Sequence, residues 1–198
     1  MSLELLNTIA SVATVTIVAA TALAALIQLR HLRAGNQIHA LISIGDKLDS
    51  REFTDALTLS SSGLASALAE PAFRTYEVAI FRRSPLPKAD QRYVDMHHAT
   101  VLVGNTFELM GLLVKNRIVD SRIFLDNYSG VALGSWKVLA NYVALGREVG
   151  NPAGWENFEY LAVLSEDWIQ AHPSSYPKRV RRLELHNPWP VPSVATAP

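Results

Sequence analysis

Asn7-Thr-Ile-Ala-Ser-Val-Ala-Thr-Val-Thr-Ile-Val-Ala-Ala-Thr-Ala-Leu-Ala-Ala-Leu-Ile-Gln-Leu29 contains no charged side chain. From Ile9 to Leu29 the run is roughly 21 residues, so a helix there covers about 31 Å, close to the hydrocarbon thickness of a bilayer. A secretory signal wants a basic start and a shorter apolar centre, whereas the only early charge is Glu4. The competing reading is a buried core helix, but such helices seldom exceed about 18 residues without one charged position. The run therefore predicts a transmembrane helix over residues 7–29. Arg30, His31 and Arg33 follow it, and the positive-inside rule puts the side that carries them in the cytoplasm, with residues 1–6 as a short outer N-terminus. Thr16, Ala20 and Ala24 place small side chains on one line of the helix, which permits close pairing in lipid. Alanine and threonine abound throughout the segment, so the same line also arises by chance.

The remainder of the 198 residues is one ordinary domain plus a tail. Eighteen basic and eighteen acidic residues cancel, leaving no bulk field for a polyanion, and nucleic acid is an unexpected partner. With 49% hydrophobic residues the chain can offset its ordering entropy by burial, which excludes wholesale disorder. The cysteine count is zero, so there is no disulfide, thiolate nucleophile or cysteine-ligated metal.

Helical periodicity continues beyond the apolar run. Leu29, Leu32, Ile38, Leu41, Ile42 and Leu48 extend one face over residues 30–48, predicting a juxtamembrane helix. Asp49-Ser-Arg-Glu52 fits a capping box opening a helical domain over residues 49–172, with Phe53, Ala56, Leu57 and Leu64 inward. Ser60-Ser-Ser-Gly63 is a point at which that helix is expected to break. Pro71 fits a first helical turn, and Arg83-Ser-Pro-Leu-Pro87 is a loop. A long helix is predicted from about Lys88 to Val114, and Asp120-Ser121 can cap the next one. Asp126-Asn-Tyr-Ser-Gly130 is expected to kink or interrupt that helix before Val131–Val149, Gly150-Asn-Pro152 stops it, and a last helix covers about Trp155 to Gln170. From Ser174 onward five of the 10 prolines occur without periodicity, which predicts an irregular tail over residues 173–198. The fold class is all-α: one transmembrane helix leading into a small antiparallel helical bundle.

Asn105-Thr-Phe-Glu-Leu-Met-Gly-Leu-Leu-Val-Lys-Asn-Arg-Ile-Val-Asp120 is followed by Gly130, Val131, Trp136-Lys-Val-Leu139, Arg147 and Phe158-Glu-Tyr-Leu161. This order, with Leu29-Arg-His-Leu-Arg33, resembles a bacterial family called domain of unknown function 4760, up to about Trp168. The resemblance implies a membrane helix followed by a helical domain, at a bacterial inner membrane, and implies no activity.

The polar cluster of interest lies on the helix predicted over 88–114. At 100° per residue His97, Gly104, Glu108 and Gly111 fall within about 60° of one another. The glycines admit a neighbouring helix, and His97 and Glu108 flank that contact. The two are roughly 16 Å apart along the helix, so they share neither a metal nor a proton. The favoured reading of His97, Asn105 and Glu108 is a polar contact between helices, with Glu108 bonding a helix terminus or an arginine. Asp95 and His98 have the i, i+3 spacing of a di-iron bundle, but no second copy of the motif exists and His31 and His39 are two turns apart, so no metal is expected. Gly134-Ser-Trp136 lacks the setting of a nucleophile elbow, no phosphate loop occurs, and Trp136, Trp155 and Trp168 read as core anchors. No cofactor and no catalytic residue is assigned. In the tail, Lys178, Arg179, Arg181 and Arg182 are solvated, rest on anionic lipid at about 1 kcal/mol each, or touch nucleic acid, and an anchor that holds the tail near the membrane favours lipid over nucleic acid.

These readings converge on a non-enzymatic, membrane-tethered interaction or scaffold domain, bound to the bilayer and to a protein partner or a second copy of itself. Two rivals stand beside it. One is a membrane-bound enzyme with a site between helices near His97, His98 and Glu108; the other is a membrane-acting effector.

Overall fold

The computed structural model describes residues 2–88 and 90–189, apart from the side chains of Leu6, Arg33 and Ala34. The part of the expected tail from 190 to 198 lies outside the described residues. Among the described residues there are six helices and no strand: α1 (Leu3–Leu48), α2 (Arg51–Ala69), α3 (Pro71–Phe81), α4 (Gln91–Lys115), α5 (Ser121–Val149) and α6 (Glu156–Ala171). A long apolar N-terminal helix followed by a helical bundle is the observed architecture.

The apolar run and the juxtamembrane stretch form one unbroken helix of 46 residues. Its side chains are exposed throughout the apolar part, including Val12, Ile17, Val18, Leu23 and Leu26. Thr8, Thr14, Thr16 and Thr21 each donate to the carbonyl four residues earlier at 2.8–2.9 Å, so their hydroxyls require no other partner. Burial begins only near the helix's end, where Ile44 is 4% exposed and Ala40, Leu41 and Leu48 pack on the core.

The core sits around α4, which packs against α2 on one side and α6 on the other, while α5 backs α6. Four aromatic rings tie these layers together. Phe53 meets Phe107 edge-on at 5.8 Å, Phe107 stacks on Phe158 at 5.0 Å, and Trp136 meets Phe158 edge-on at 5.1 Å. Such pairs add to the burial of large apolar rings.

Several local expectations are corrected. Ser60–Gly63 does not break α2: Ser60 is fully buried and Gly63 faces the Met96 side chain, so small residues there let α4 approach. Asp126–Gly130 does not interrupt α5; Tyr128 packs on the core with its hydroxyl close to Gly45 of α1 and Ser129 is buried, so tertiary packing outweighs weak local propensity. Ser50 caps α2 by accepting from Phe53 N at 3.2 Å, but Glu52 closes no capping box and pairs instead with Lys47 at 3.0 Å. The long helix begins at Gln91 rather than Lys88, because Asp90 caps it. Asp120 caps α5 as expected, accepting from Arg122 N at 2.9 Å and Ile123 N at 3.2 Å.

The two glycines on the inner face of α4 receive the start of α6. A Cβ at Gly104 would overlap the Trp155 indole, and one at Gly111 would run into the Asn157 backbone carbonyl. Gly134, in the middle of α5, has open space around it. The sign of a glycine-to-alanine change should therefore differ between the two helices. Gly111→Ala is expected to destabilise by about 1–3 kcal/mol through overpacking. Gly134→Ala is expected to stabilise by roughly 0.5–1 kcal/mol through helix propensity. Denaturant unfolding of both variants checks this, and a neutral Gly111→Ala would show that α6 does not dock so closely.

Candidate functional site

Phe73, Tyr76, Glu77 and Ile80 recur at helical spacing along α3, and all four turn toward the bundle. Pro71 at the first position and Glu70 before it set where the helix starts. The third member of that inward face is a carboxylate. Glu77 is 0% exposed, and an unpartnered charge there would cost several kcal/mol.

Two side chains from other helices supply its partners. His97 of α4 brings Nδ1 to 2.9 Å from Glu77 Oε2 and 3.2 Å from Oε1. Tyr142 of α5 donates its hydroxyl to Oε2 at 2.7 Å. The Tyr142 oxygen lies 3.2 Å from His97 Nδ1. With the phenol proton committed to Oε2, the assignment that satisfies the carboxylate has Nδ1–H donating to it as well. Carboxylate, imidazole and phenol thus clamp α3, α4 and α5 at one point. Burial, reinforced by the neighbouring Glu77 carboxylate, pushes the Tyr142 phenol far above its ordinary value of 10.0. Tyr76, edge-on to His97 at 6.2 Å, is raised by the same two causes in the same order.

With Nδ1 bonded inside, the His97 side chain keeps 15% of its surface exposed. His97 also borders a cleft of about 350 Å³ whose walls include Phe81, Val101, Tyr142, Arg147 and Trp155. Trp155 holds the mouth in place from a left-handed backbone conformation, φ 53°. Its indole Nε1 donates to Asn105 Oδ1 at 2.9 Å, and its ring stacks with Tyr142 at 5.9 Å. Arg147 locks the loop before α6: Nε donates to the Gly154 carbonyl at 2.8 Å and Nη1 to Glu159 at 2.7 Å. Its buried Nη2 has no partner among the described residues.

Glu108 does different work three turns along α4. It accepts from Asn157 Nδ2 at 2.7 Å and from the Phe158 backbone N–H at 2.9 Å. Trp155, at the cap position of α6, makes no side-chain cap bond. A carboxylate borrowed from α4 therefore satisfies the free N–H groups and the positive end of the α6 dipole. His97, Asn105 and Glu108 each contact another element, but at three separate points. His98 is exposed, with its ring 5.8 Å from that of His97. Asp95 accepts from Gln91 at 2.9 Å on the surface. Among the described residues no three His, Asp or Glu side chains gather as a metal ion would need. Lys178, Arg179, Arg181 and Arg182 are all exposed; Arg182 lies over the Tyr176 ring at 4.9 Å and donates to Ser174 Oγ at 2.8 Å.

Sequence reasoning missed Glu77 and Tyr142. The available signal was the lone carboxylate in Tyr76-Glu-Val-Ala-Ile-Phe81, at a position the helical period assigns inward.

The bundle with its protruding apolar helix defines a class: an all-α domain carried on a helix long and apolar enough to cross a membrane. Within that class the chain belongs to the family described as domain of unknown function DUF4760, which matches residues 15–168. The matched span takes in most of the apolar run, all of α2 to α5 and the cleft, and stops at Trp168. No curated protein and no solved structure matches the chain significantly.

The Tyr142 phenol gives a pH prediction. Its folded value is raised above the unfolded one near 10.0, so the stability it contributes is complete below pH 10 and is lost as pH rises past it. Tyr142→Phe should lower stability near neutral pH by about 1–3 kcal/mol, because Glu77 loses a buried donor. The same variant should show a shallower decline above pH 10. Denaturant unfolding at a series of pH values checks both, and an unchanged alkaline slope would argue against the buried phenol.

Proposed function

We propose that this is a single-pass membrane protein whose helical domain acts as a non-enzymatic, tethered interaction module. Its N-terminus lies outside and its domain in the cytoplasm, at a bacterial inner membrane. The observation that carries the reading is the continuity of α1. One helix exposes an uncharged, almost wholly apolar surface where it has the length of a bilayer and then becomes core of the domain at Ile44. A domain built onto its anchor in this way holds a fixed height and orientation above the lipid. That favours a role in presenting surfaces rather than in free diffusion.

Two further features support binding as the output. A groove of about 390 Å³ runs between the last turns of α1 and α4, bordered by Ala40, Ile44, Leu102, Leu109, Met110 and Leu113. Leu109 is 56% exposed on it, and a protein partner or a second copy would gain by covering such a surface. The tail returns beside Asp126 and Trp168, residues that also border a hollow with Leu41 of α1. Arg182 of the basic run lines the hollow beside Asp126 and Trp168, which supports a contact of Lys178, Arg179, Arg181 and Arg182 with anionic lipid near the anchor.

The enzyme reading draws one observation in its favour, the position of His97 on the cleft. Of His97, His98 and Glu108 only His97 borders it, and a lone imidazole lacks the nucleophile and oxyanion donors of an assembled site.

Cell fractionation tests the anchor: the full chain is expected in the membrane pellet after ultracentrifugation, resisting high salt and released only by detergent. A C-terminal reporter should give the cytoplasmic signal. Crosslinking of the solubilised protein should capture a discrete partner or a dimer. Recovery in the soluble fraction would overturn the tether, a periplasmic signal would invert the topology, and a purely monomeric product would count against interaction.

A further inference from the structure

Two isoleucines of α1 stand beyond the uncharged run, on the part of the helix that already belongs to the domain. Ile38 and Ile42 follow Arg30 in the chain, so lipid does not solvate them, yet they are 60% and 55% exposed among the described residues. The core takes a different side of the same turns, through Ala40, Leu41, Ile44 and Leu48. Apolar residues scattered singly on a surface are ordinary, but this pair continues a longer face. At 100° per residue Ile17, Ala24, Ile27, Gly35, Ile38 and Ile42 fall within about 80° of one another. Ala20 and His31 lie in the same arc, and between Ala13 and Ile42 it contains no aspartate, glutamate, lysine or arginine. Ile17 and Ile27 are 66% and 48% exposed. Gly35 has open space where a Cβ would stand, which lets a second backbone come close.

This face passes from the bilayer-length run into the domain without a break, and that continuity decides what covers it. A soluble partner would cover only the part beyond Arg30, and a membrane helix ending at the interface only the part before it. A second copy has both parts. Its own α1 holds it in the same bilayer at the same height and orientation, presenting the same uncharged surface along the full length. We propose that two copies associate in parallel along this face of α1, with Ile38 and Ile42 meeting their counterparts across a two-fold axis. The residues that dock α1 onto its own domain centre roughly 130° around the helix from the paired face, so the two domains lie on the outer sides. The groove against α4 opens elsewhere, beside Ala40 and Ser43. The inference rests on the membrane tether, because co-orientation in one bilayer is what aligns the two faces.

The absence of cysteine lets one cysteine at a time be placed in the full chain and oxidised in its own membranes. Ile38→Cys and Ile42→Cys are expected to give a disulfide-linked product of twice the chain's mass. Asn36→Cys, on the other side of the helix, and Ser43→Cys, on the groove, should react at least about fivefold less, because the bond needs Cβ atoms roughly 4 Å apart. Both control positions are exposed. Ile38→Asp should weaken self-association in detergent at least about tenfold by setting like charges against each other, while circular dichroism remains that of a folded bundle. Chain that pellets with membranes but gives only monomer at both isoleucine positions would overturn the dimer and leave the tether standing. Recovery in the soluble fraction would overturn both. Crosslinking mainly through Ser43→Cys would move the interface to the groove, and a product joining Ile38→Cys to a different protein would overturn the second copy as occupant.

Discussion

The constraint on which everything else rests is that α1 must satisfy two solvents along one unbroken hydrogen-bonded rod. Over residues 7–29 its surface is uncharged and largely apolar, its threonine hydroxyls are folded back onto carbonyls, and none of the other described residues covers it. In water such a surface would be costly at about 25 cal/mol per Å², and in lipid it costs nothing. From Ala40 onward the same rod is an ordinary amphipathic helix, docked by Ile44 and Leu48. Because no loop intervenes, bending freedom between anchor and domain is that of a helix, not of a linker.

The bundle that α1 enters is held by apolar burial and by two carboxylates placed inside it for different purposes. Glu108 replaces a missing cap, so its energetic role is to let α6 begin against Gly104 and Gly111. Glu77 has no such backbone duty. Its partners come from α4 and α5, and its removal would leave His97 and Tyr142 without their shared acceptor. A buried polar cluster of this kind is a weak source of net stability against an apolar replacement of equal shape. Its clear geometric consequence is to fix the orientation of an imidazole that borders a cleft.

Much of this was legible from sequence where one physical signal dominated. The uncharged run announced its helix, Pro71 and Asp120 marked helix starts, and the 100° period placed Gly104 and Gly111 where a neighbouring helix would land. Local weakness proved a poor guide to breaks: Ser60–Gly63 and Asp126–Gly130 stay helical because buried faces on both sides hold them. The site was harder to see. Spacing on α4 alone grouped His97 with Glu108, although each finds its partner on a different helix. Glu77 and Tyr142 are separated by 65 residues, and no periodicity on one helix reports a contact between helices. Glu77 was detectable only as a charge where the pattern demands an apolar residue.

The most direct measurement follows from the absence of cysteine, which lets single cysteines be spin-labelled one at a time along α1 in bilayers. Collision with oxygen reports lipid, and collision with a water-soluble nickel complex reports solvent. At Val12, Val18 and Leu26 the labels are expected to meet oxygen and not nickel; at Asn36 nickel should dominate; at Ile44 neither reagent should have access. Nickel access at all of the first three positions, or protection of all three from both reagents by surrounding protein, would contradict the account of α1 as a lipid-dissolved stem.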